Sequence, residues 1–273
     1  PYLNGTGTVW FDDIELYGTP VLMASRTTGT PRIDGKLTEP CWSEGSAVSG
    51  FSLADGSGLP RRQTWAWSAY DDKNLYFAFR CEKEPGVSLK KTVTERDGDV
   101  WVDDDVELFL NPRGDRGDYY QFIVNPLGTR YDSLRTDRAW STEWQAAVQE
   151  TQEAWTVEIA LALANLPIDL RVGPNWCVNF CRSDKATHEV SAWSCTFGGF
   201  HTPERFGTLE GLDLDFTPHY LKDAQSQLAE VRAAHQAAVA GMSTEGAPAD
   251  IAEPFLTRRD RIAAAIAEFE ALV

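Results

Sequence analysis

Between residues 21 and 216 the chain is a succession of short strand-like runs without a long helical stretch, and this pattern restricts the fold most. Turn residues at 71–74, 111–114, 126–128 and 173–175 separate the runs. Short strands joined by such turns predict an all-β, antiparallel β-sandwich of jelly-roll or immunoglobulin-like type. We predict strands at residues 63–70, 74–81, 100–110, 118–125, 129–133, 144–150, 153–161 and 175–183.

The two ends of the chain differ from this central part. Residues 1–20 contain one strand-like run, which we expect to be the terminal strand of a preceding β-sandwich, a linker, or an added edge strand. Residues 21–216 form the predicted sandwich. Residues 217–273 are predicted to form an α-helical hairpin, because apolar residues recur there at helical spacing and the Gly- and Pro-containing segment 241–254 interrupts them.

The charge balance narrows the possible partners. The formal net charge of −16 disfavours nucleic acid, whose phosphates require a basic surface, and also disfavours an anionic membrane surface. No run of residues is apolar enough to span a bilayer. Some of the ten tryptophans must lie in the core of a large sandwich, and the others leave room for one or two exposed stacking platforms of the kind that bind sugars.

The five cysteines leave at least one thiol unpaired within the chain. Cys177 and Cys181 lie on one predicted strand about 13 Å apart, which is too far for a mutual disulfide. No cysteine or histidine pattern has zinc spacing. We therefore expect the cysteines to be mostly buried and to pack as small apolar side chains. One or two disulfide bridges among them remain an alternative.

Alternation along three strands separates a core face from a candidate binding face. Val106, Leu108 and Leu110 share one side, so Glu107 and Phe109 share the other. The same count places three polar side chains from other strands on the Glu107 side, together with Ile123: Gln121, Asn125 and Asn179. Amides and a carboxylate can pair with sugar hydroxyls, although an ordinary solvated face fits the alternation equally well.

Two aromatic residues are placed where they can flank that face. Trp101 follows the polar loop 95–99, and Phe200 follows two glycines in a loop that continues to His201. Two facing rings can hold a pyranose, whose C–H bonds pack on aromatic faces. His201 can donate to a ligand, but a hydrogen bond that anchors its own loop is the favoured interpretation.

Residues 21–214 resemble carbohydrate-binding module family 9, within the DOMON-like β-sandwich superfamily. The resemblance rests on a series of motifs in order: Ile33-Asp34-Gly35-Lys36-Leu37 with Glu39 and Trp42, Ala69-Tyr70-Asp71, Asn74 to Arg80, Trp101, Asp105-Val106-Glu107-Leu108-Phe109, Gln121-Phe122 with Asn125, Trp155 to Ile159, Phe200-His201-Thr202-Pro203 and Phe206-Gly207-Thr208-Leu209. Their order over nearly the whole sandwich makes the resemblance specific.

The resemblance implies a site as well as a fold. Members clamp a terminal sugar between two aromatic side chains, which fall here on Trp101 and Phe200, and bind its hydroxyls with polar residues, which fall on Glu107, Gln121 and Asn125. The family pattern has a sheet arginine where this chain has Ile123, and its second clamp residue is usually Trp rather than Phe. The family also implies structural calcium, and the Asp-rich loops are compatible with it.

Other functional classes fit less well. A hydrolase needs two carboxylates across a cleft, whereas Asp103, Asp105 and Glu107 are predicted on one face of one strand. A haem-binding DOMON-type domain needs axial ligands that Met23 and Met242 are badly placed to provide. The remaining alternative is a structural spacer or interaction domain, without its own ligand, inside a glycoside hydrolase or polysaccharide lyase.

The sequence therefore predicts a non-catalytic module that binds oligo- or polysaccharide. We expect it to be monomeric, extracellular or on the cell surface, and to target a covalently attached carbohydrate-active enzyme, such as a glycoside hydrolase, to its substrate.

Overall fold

The computed structural model describes residues 18–43, 46–166, 175–214, 217–240 and 248–270. The chain divides into two compact units, with the boundary between Asp213 and Leu214. The strand predicted in residues 1–20 falls on residues 1–17, which lie outside the described residues. All described strands belong to the first unit, and two α-helices belong to the second.

The first unit is a sandwich of two sheets, as predicted. In chain order its strands are β1 (Val21–Met23), β2 (Ser25–Arg26), β3 (Ser52–Leu53), β4 (Thr64–Tyr70), β5 (Asn74–Glu82), β6 (Asp105–Asn111), β7 (Tyr120–Val124), β8 (Arg130–Leu134), β9 (Trp144–Glu150), β10 (Ala154–Ala162), β11 (Trp176–Asp184), β12 (Glu189–Ala192) and β13 (Gly207–Glu210). The larger sheet has the order β1-β13-β11-β6-β7-β8, with β12 paired to β11 and β3 paired to β12. The smaller sheet has the order β2-β4-β5-β10-β9. Pairing is antiparallel except between β1 and β13 and between β2 and β4.

The eight predicted strand runs correspond to β4 to β11, and one of them starts too early. The run predicted at 100–110 begins with a 3₁₀ turn at Val100–Val102, and the strand starts only at Asp105. Alternation does not distinguish such a turn from a strand, because three residues are too few to show a period. The short strands β1, β2, β3, β12 and β13 have two to four residues each and gave no sequence signal for the same reason.

Aromatic side chains from both sheets meet in the core between them. The ring of Phe180 on β11 contacts the edges of Phe77 and Phe79 on β5, at centroid distances of 6.0 and 5.4 Å. Trp193 packs against the same Phe180 ring at 5.7 Å. All four side chains are buried, so the core face of the larger sheet is the one that alternation predicts for Phe180.

A buried carboxylate fastens the N-terminal segment of the unit to the smaller sheet. Glu158 on β10 accepts hydrogen bonds from the backbone N–H groups of Asp34 and Gly35, at 2.9 and 2.7 Å, and from the indole Nε1 of Trp42 at 2.8 Å. Burial raises the pKa of Glu158, while the two backbone donors and the indole lower it in part. Three separated motifs of the sequence thus converge on one carboxylate.

The second unit contains helices α1 (Thr217–Ala240) and α2 (Ala249–Glu270). Arg232 of α1 forms an ion pair with Glu270 of α2, as expected for a hairpin. The predicted interruption ends earlier than expected, because α2 begins at Ala249 and contains Pro254. Pro254 is the sixth residue of α2 and lies beyond the first four backbone N–H groups, so it removes one hydrogen bond within the helix. None of the described helices is both long and apolar enough to cross a membrane.

All five cysteines are described, and each is a free thiol. Cys81, Cys177 and Cys181 are buried in the sandwich, and burial raises their pKa values. They act as small apolar side chains, which is what their spacing predicts.

Candidate functional site

A groove of about 470 Å³ lies on the face of the larger sheet that alternation assigns to Glu107. Strands β6, β7, β8 and β11 supply its floor, and the loops after β8 and β12 supply its walls. The residues that line it are Trp101, Glu107, Gln121, Ile123, Tyr131, Thr136, Arg138, Ser183, Phe200 and His201. Five of the seven predicted site residues therefore lie in one groove.

Glu107 and Gln121 form the polar part of the floor. Gln121 donates from Nε2 to Oε2 of Glu107 at 2.6 Å and accepts from the Ser133 hydroxyl at 3.2 Å. Ile123 pairs with Glu107 on one side and Tyr131 on the other in the strand register. Ile123, the position where the resemblance implies an arginine, thus places an apolar side chain between the carboxylate and an aromatic ring.

Trp101 stands at one side of the groove on the 3₁₀ turn that precedes β6. Its indole is half-buried and rests on the edge of Tyr131 at a centroid distance of 5.2 Å. The guanidinium of Arg138 lies over the indole at 5.0 Å from its centroid. Arg138 is also held by Asp99, at 3.1 Å, so one cation already stacks on the predicted platform.

Phe200 and His201 form another part of the lining. Phe200 is half-buried against the edge of Phe109, at 6.3 Å between centroids. Nδ1 of His201 shares a hydrogen bond with the Tyr119 hydroxyl at 2.8 Å, and burial lowers the pKa of His201. This bond anchors the loop, as the favoured interpretation of His201 predicts, while the imidazole still lines the groove.

The other two predicted site residues, Asn125 and Asn179, do not line the groove. Their side-chain amides form hydrogen bonds within the protein. Asn125 donates to Val93 and Asp103 and accepts from the N–H groups of Leu127 and Thr129, which closes the β7–β8 turn. Asn179 is fully buried; its side chain donates to the Ser194 carbonyl at 2.9 Å and accepts from the Ser194 N–H at 2.9 Å. Both side chains fix the backbone around the groove.

Four groove residues were missed by the sequence reasoning: Tyr131, Thr136, Arg138 and Ser183. Tyr131 could have been predicted from the sequence, because a hairpin closed at the turn 126–128 places Tyr131 beside Ile123. Thr136 and Arg138 lie in a loop that carries no alternation, so no pattern marked them.

A second carboxylate lies on the same face, two residues before Glu107. Asp105 is fully buried, and neither of its oxygens has a hydrogen-bond partner in the described part of the chain. Burial and the nearby Glu107 carboxylate raise its pKa well above the usual value, and Lys185 and Ser183 offset this only in part. Burial likewise raises the pKa of Glu107. Two buried carboxylates so close together are costly for the folded protein.

We expect Asp105→Asn to stabilise the protein at neutral pH by about 1 kcal/mol. The folded-state pKa of Asp105 is raised, so its contribution to stability is present below the unfolded value of about 3.9 and is lost as pH rises through the folded value. The advantage of the variant should therefore disappear near pH 4, approximately. Urea unfolding across this pH range measures it. Glu153→Gln, at an exposed turn, removes the same charge and should show no such gain; an equal gain would implicate net charge instead.

The aspartates of the segment before β6 accept hydrogen bonds from nearby backbone N–H groups. Asp103 accepts from the backbone N–H groups of Thr92 and Val93 at 2.7 and 2.8 Å, and Asp104 accepts from that of Lys90 at 2.6 Å. Across the described residues, no three His, Cys, Asp or Glu side chains gather as a metal-ligand set. These aspartates therefore stabilise the local backbone through hydrogen bonds. Calcium binding remains a prediction that rests on the resemblance.

Comparison with known proteins identifies a family and a fold. The family described as carbohydrate family 9 binding domain-like matches residues 33–212. A family 9 carbohydrate-binding module from Caldicellulosiruptor kristjanssonii, solved with cellotriose, is similar in structure, with a TM-score of 0.50, 17% identity, and coverage of 71% of this chain and 93% of that one. A proposed carbohydrate-binding protein from Bacteroides uniformis gives a TM-score of 0.53 at 17% identity, with coverage of 72% and 100%. The search of curated proteins found no significant match.

Proposed function

The chain belongs to the carbohydrate family 9 binding domain-like family, and we propose that it is a non-catalytic module that holds a sugar in the groove over Glu107 and Gln121. The groove is the single observation that carries the proposal. It combines half-buried aromatic rings at Trp101 and Phe200 with a carboxylate and an amide on a rigid sheet. Such a site suits pyranoses, which present C–H groups to rings and hydroxyls to polar atoms.

The walls and the floor of the groove would contact different parts of the sugar. A sugar ring packed on Trp101 or Phe200 would point its hydroxyls towards Glu107, which accepts, and towards Gln121, whose second Nε2 hydrogen can donate. The relative from Caldicellulosiruptor kristjanssonii was solved with cellotriose, so glucose and cello-oligosaccharides are the first ligands to try.

A glycan array followed by isothermal titration calorimetry tests the proposal. We expect binding of at least one oligosaccharide with Kd below about 1 mM. Running both measurements with and without EDTA tests whether calcium contributes. If no glycan on a broad array binds to the intact chain, the alternative role as a spacer domain is the better interpretation.

We further propose that the module is extracellular or on the cell surface, is monomeric, and serves an attached carbohydrate-active enzyme. Binding to an insoluble polysaccharide raises the effective concentration of an attached catalytic domain, which is the physical advantage of such a module. A glucanase fused to this chain should gain severalfold activity on insoluble substrate and none on soluble substrate. An equal gain on both substrates would contradict the targeting role. Gel filtration tests the monomeric state.

A further inference from the structure

One side chain of the groove offers several hydrogen-bond donors at once. Among the described residues that line the groove, Arg138 is the only arginine or lysine. Gln121 gives one of its two Nε2 hydrogens to Glu107. His201 shares its Nδ1 with the Tyr119 hydroxyl, and burial lowers the pKa of His201. The largest set of donors available to a ligand is therefore on Arg138.

The protein uses only part of the Arg138 guanidinium. Nη2 donates to the Asp99 carboxylate at 3.1 Å and to the Asp97 carbonyl at 3.2 Å. Within the described residues, Nε and Nη1 of Arg138 have no hydrogen-bond partner. The side chain is 52% exposed, so water or a ligand can reach these two nitrogens. Their N–H groups are available to acceptor oxygens of a ligand in the groove.

The loop that holds Arg138 is itself fixed to the larger sheet. The backbone N–H of Asp97 donates to the Arg130 carbonyl of β8 at 2.9 Å. Asp97 has a φ of +61°, an uncommon conformation for a residue other than glycine. From the same loop, Arg96 donates to the Thr142 carbonyl at 2.6 Å. The guanidinium is thus positioned before a ligand arrives, and a preorganised donor loses less conformational entropy on binding.

The guanidinium also lies against the two aromatic rings of this wall. Its carbon is 5.0 Å from the centroid of Trp101 and 5.7 Å from that of Tyr131. The two rings are nearly perpendicular, at 84°. Cation–π attraction therefore adds to the ion pair in holding the guanidinium beside the indole.

From this geometry we infer that Arg138 binds the ligand directly, with Nε and Nη1 donating to hydroxyl oxygens of a pyranose, and that Asp99 positions the guanidinium for this contact. The inference rests on the proposed carbohydrate-binding function and extends it to the loop after β8. Hydrogen bonds from a charged donor are stronger than those between neutral groups. Arg138 would therefore decide which hydroxyl groups of the sugar are recognised.

The alternative role for Arg138 is to cover the indole and to leave when a sugar binds. The ion pair with Asp99 is exposed on both sides, so by itself it would hold the guanidinium weakly. The Asp97 carbonyl and the two aromatic rings add to it, which favours a fixed donor over a movable cover. The two roles predict opposite effects of Arg138→Ala. Loss of a ligand donor weakens sugar binding, whereas loss of a cover strengthens it.

Calorimetry on the intact chain with cellotriose and D-glucose tests the inference. Arg138→Ala should weaken the binding of cellotriose by about tenfold, as expected for the loss of a hydrogen bond to a charged group. Arg138→Lys keeps the charge but loses the planar guanidinium, so it should recover only part of the affinity. Arg80→Ala is the matched control and should leave the Kd unchanged. Arg80 stacks on Trp65 at 4.9 Å, on the smaller sheet and away from the groove.

Derivatives of D-glucose that each lack one hydroxyl identify the groups that Arg138 binds. In the parent chain, at least one derivative should bind about fivefold or more weakly than D-glucose. In Arg138→Ala the same derivative should bind within about twofold of D-glucose, because the donor to the missing hydroxyl is absent. A general distortion of the groove would weaken all the sugars alike. Discrimination that persists in Arg138→Ala would contradict the inference.

Asp99→Ala tests the positioning role. It should weaken the binding of cellotriose by about threefold in the parent chain and have no further effect when combined with Arg138→Ala. An equal loss in both backgrounds would show that Asp99 acts independently of Arg138 and would overturn its positioning role.

The outcomes separate this inference from the proposed function. Unchanged or tighter binding of cellotriose to Arg138→Ala overturns the inference and leaves carbohydrate binding intact. An equal loss in Arg80→Ala would reflect the removal of a positive charge from an acidic chain and would also overturn it. If neither sugar binds and a glycan array is empty, the proposed function itself is wrong. If the array identifies another glycan, that glycan replaces cellotriose in the same comparison, with the same deciding outcomes.

Discussion

Trp101→Ala is expected to weaken sugar binding by at least about 100-fold, which corresponds to about 2.8 kcal/mol. The indole is the largest ring in the groove, and truncating an aromatic side chain that anchors a ligand can cost about 2 kcal/mol or more. The cost to folding should be smaller, about 1–2 kcal/mol, because the side chain is only half-buried. Calorimetry measures the first effect, and urea unfolding measures the second.

The chain offers a closely matched control for this variant. Trp65 on β4 is also half-buried, and the guanidinium of Arg80 stacks on it at 4.9 Å, much as Arg138 stacks on Trp101 at 5.0 Å. Trp65 lies on the smaller sheet, away from the groove. Trp65→Ala should therefore lose similar stability and keep its affinity. If both variants lose affinity equally, or Trp101→Ala binds like the parent chain, the groove is not the binding site.

Glu158→Gln is expected to reduce the free energy of unfolding by about 3 kcal/mol. The carboxylate accepts from the Asp34 and Gly35 N–H groups through Oε2 and from the Trp42 indole through Oε1. A glutamine has one acceptor oxygen, so its NH₂ group must face either the indole N–H or the two backbone N–H groups. Both arrangements place donor against donor in a buried site.

The surroundings of Gly35 leave little room for this segment to shift in response. Its φ of +83° is favourable only for glycine, and a Cβ there would lie 2.5 Å from the carbonyl carbon of Val148. Urea unfolding with Glu153→Gln as the exposed control measures the effect. Since Glu158 lies on the smaller sheet, sugar affinity of the folded variant should not change. A loss below about 1 kcal/mol would show that the three hydrogen bonds are individually dispensable.

Several features of the fold and site follow from sequence alone. The strand positions from β4 to β11 follow from alternation and turn residues, and the separation of Glu107 from Val106 and Leu108 follows from the two-residue period of a strand. The family resemblance has its basis in the same motifs, and the match over residues 33–212 confirms it. The structure brings Trp101, Phe200, Glu107, Gln121 and His201 to one groove as those motifs imply.

Alternation could not predict which polar atoms remain available to a ligand. Asn125 and Asn179 lie near the predicted face, yet nearby backbone groups use their amides. Arg182 falls by alternation on the same core face as Phe180, and it is buried there while its guanidinium donates to the Glu82 carbonyl and to the Asp184 carboxylate. The Ser194 carbonyl that Asn179 binds and the Glu82 carbonyl that Arg182 binds come from segments distant in sequence, so no local pattern reveals them.

Sequence by itself determined the β-sandwich and the face that holds the site, because hydrophobic alternation and turn chemistry act over a few neighbouring residues. Tertiary structure alone decided the chemistry of the groove. The stacking of Arg138 on Trp101, the apolar side chain of Ile123 in the floor and the unpartnered carboxylate of Asp105 each depend on side chains from several strands and loops meeting at one place. Hydrogen bonds and electrostatic interactions depend on distances of a few ångströms between atoms in the folded protein. A local sequence pattern does not specify these distances.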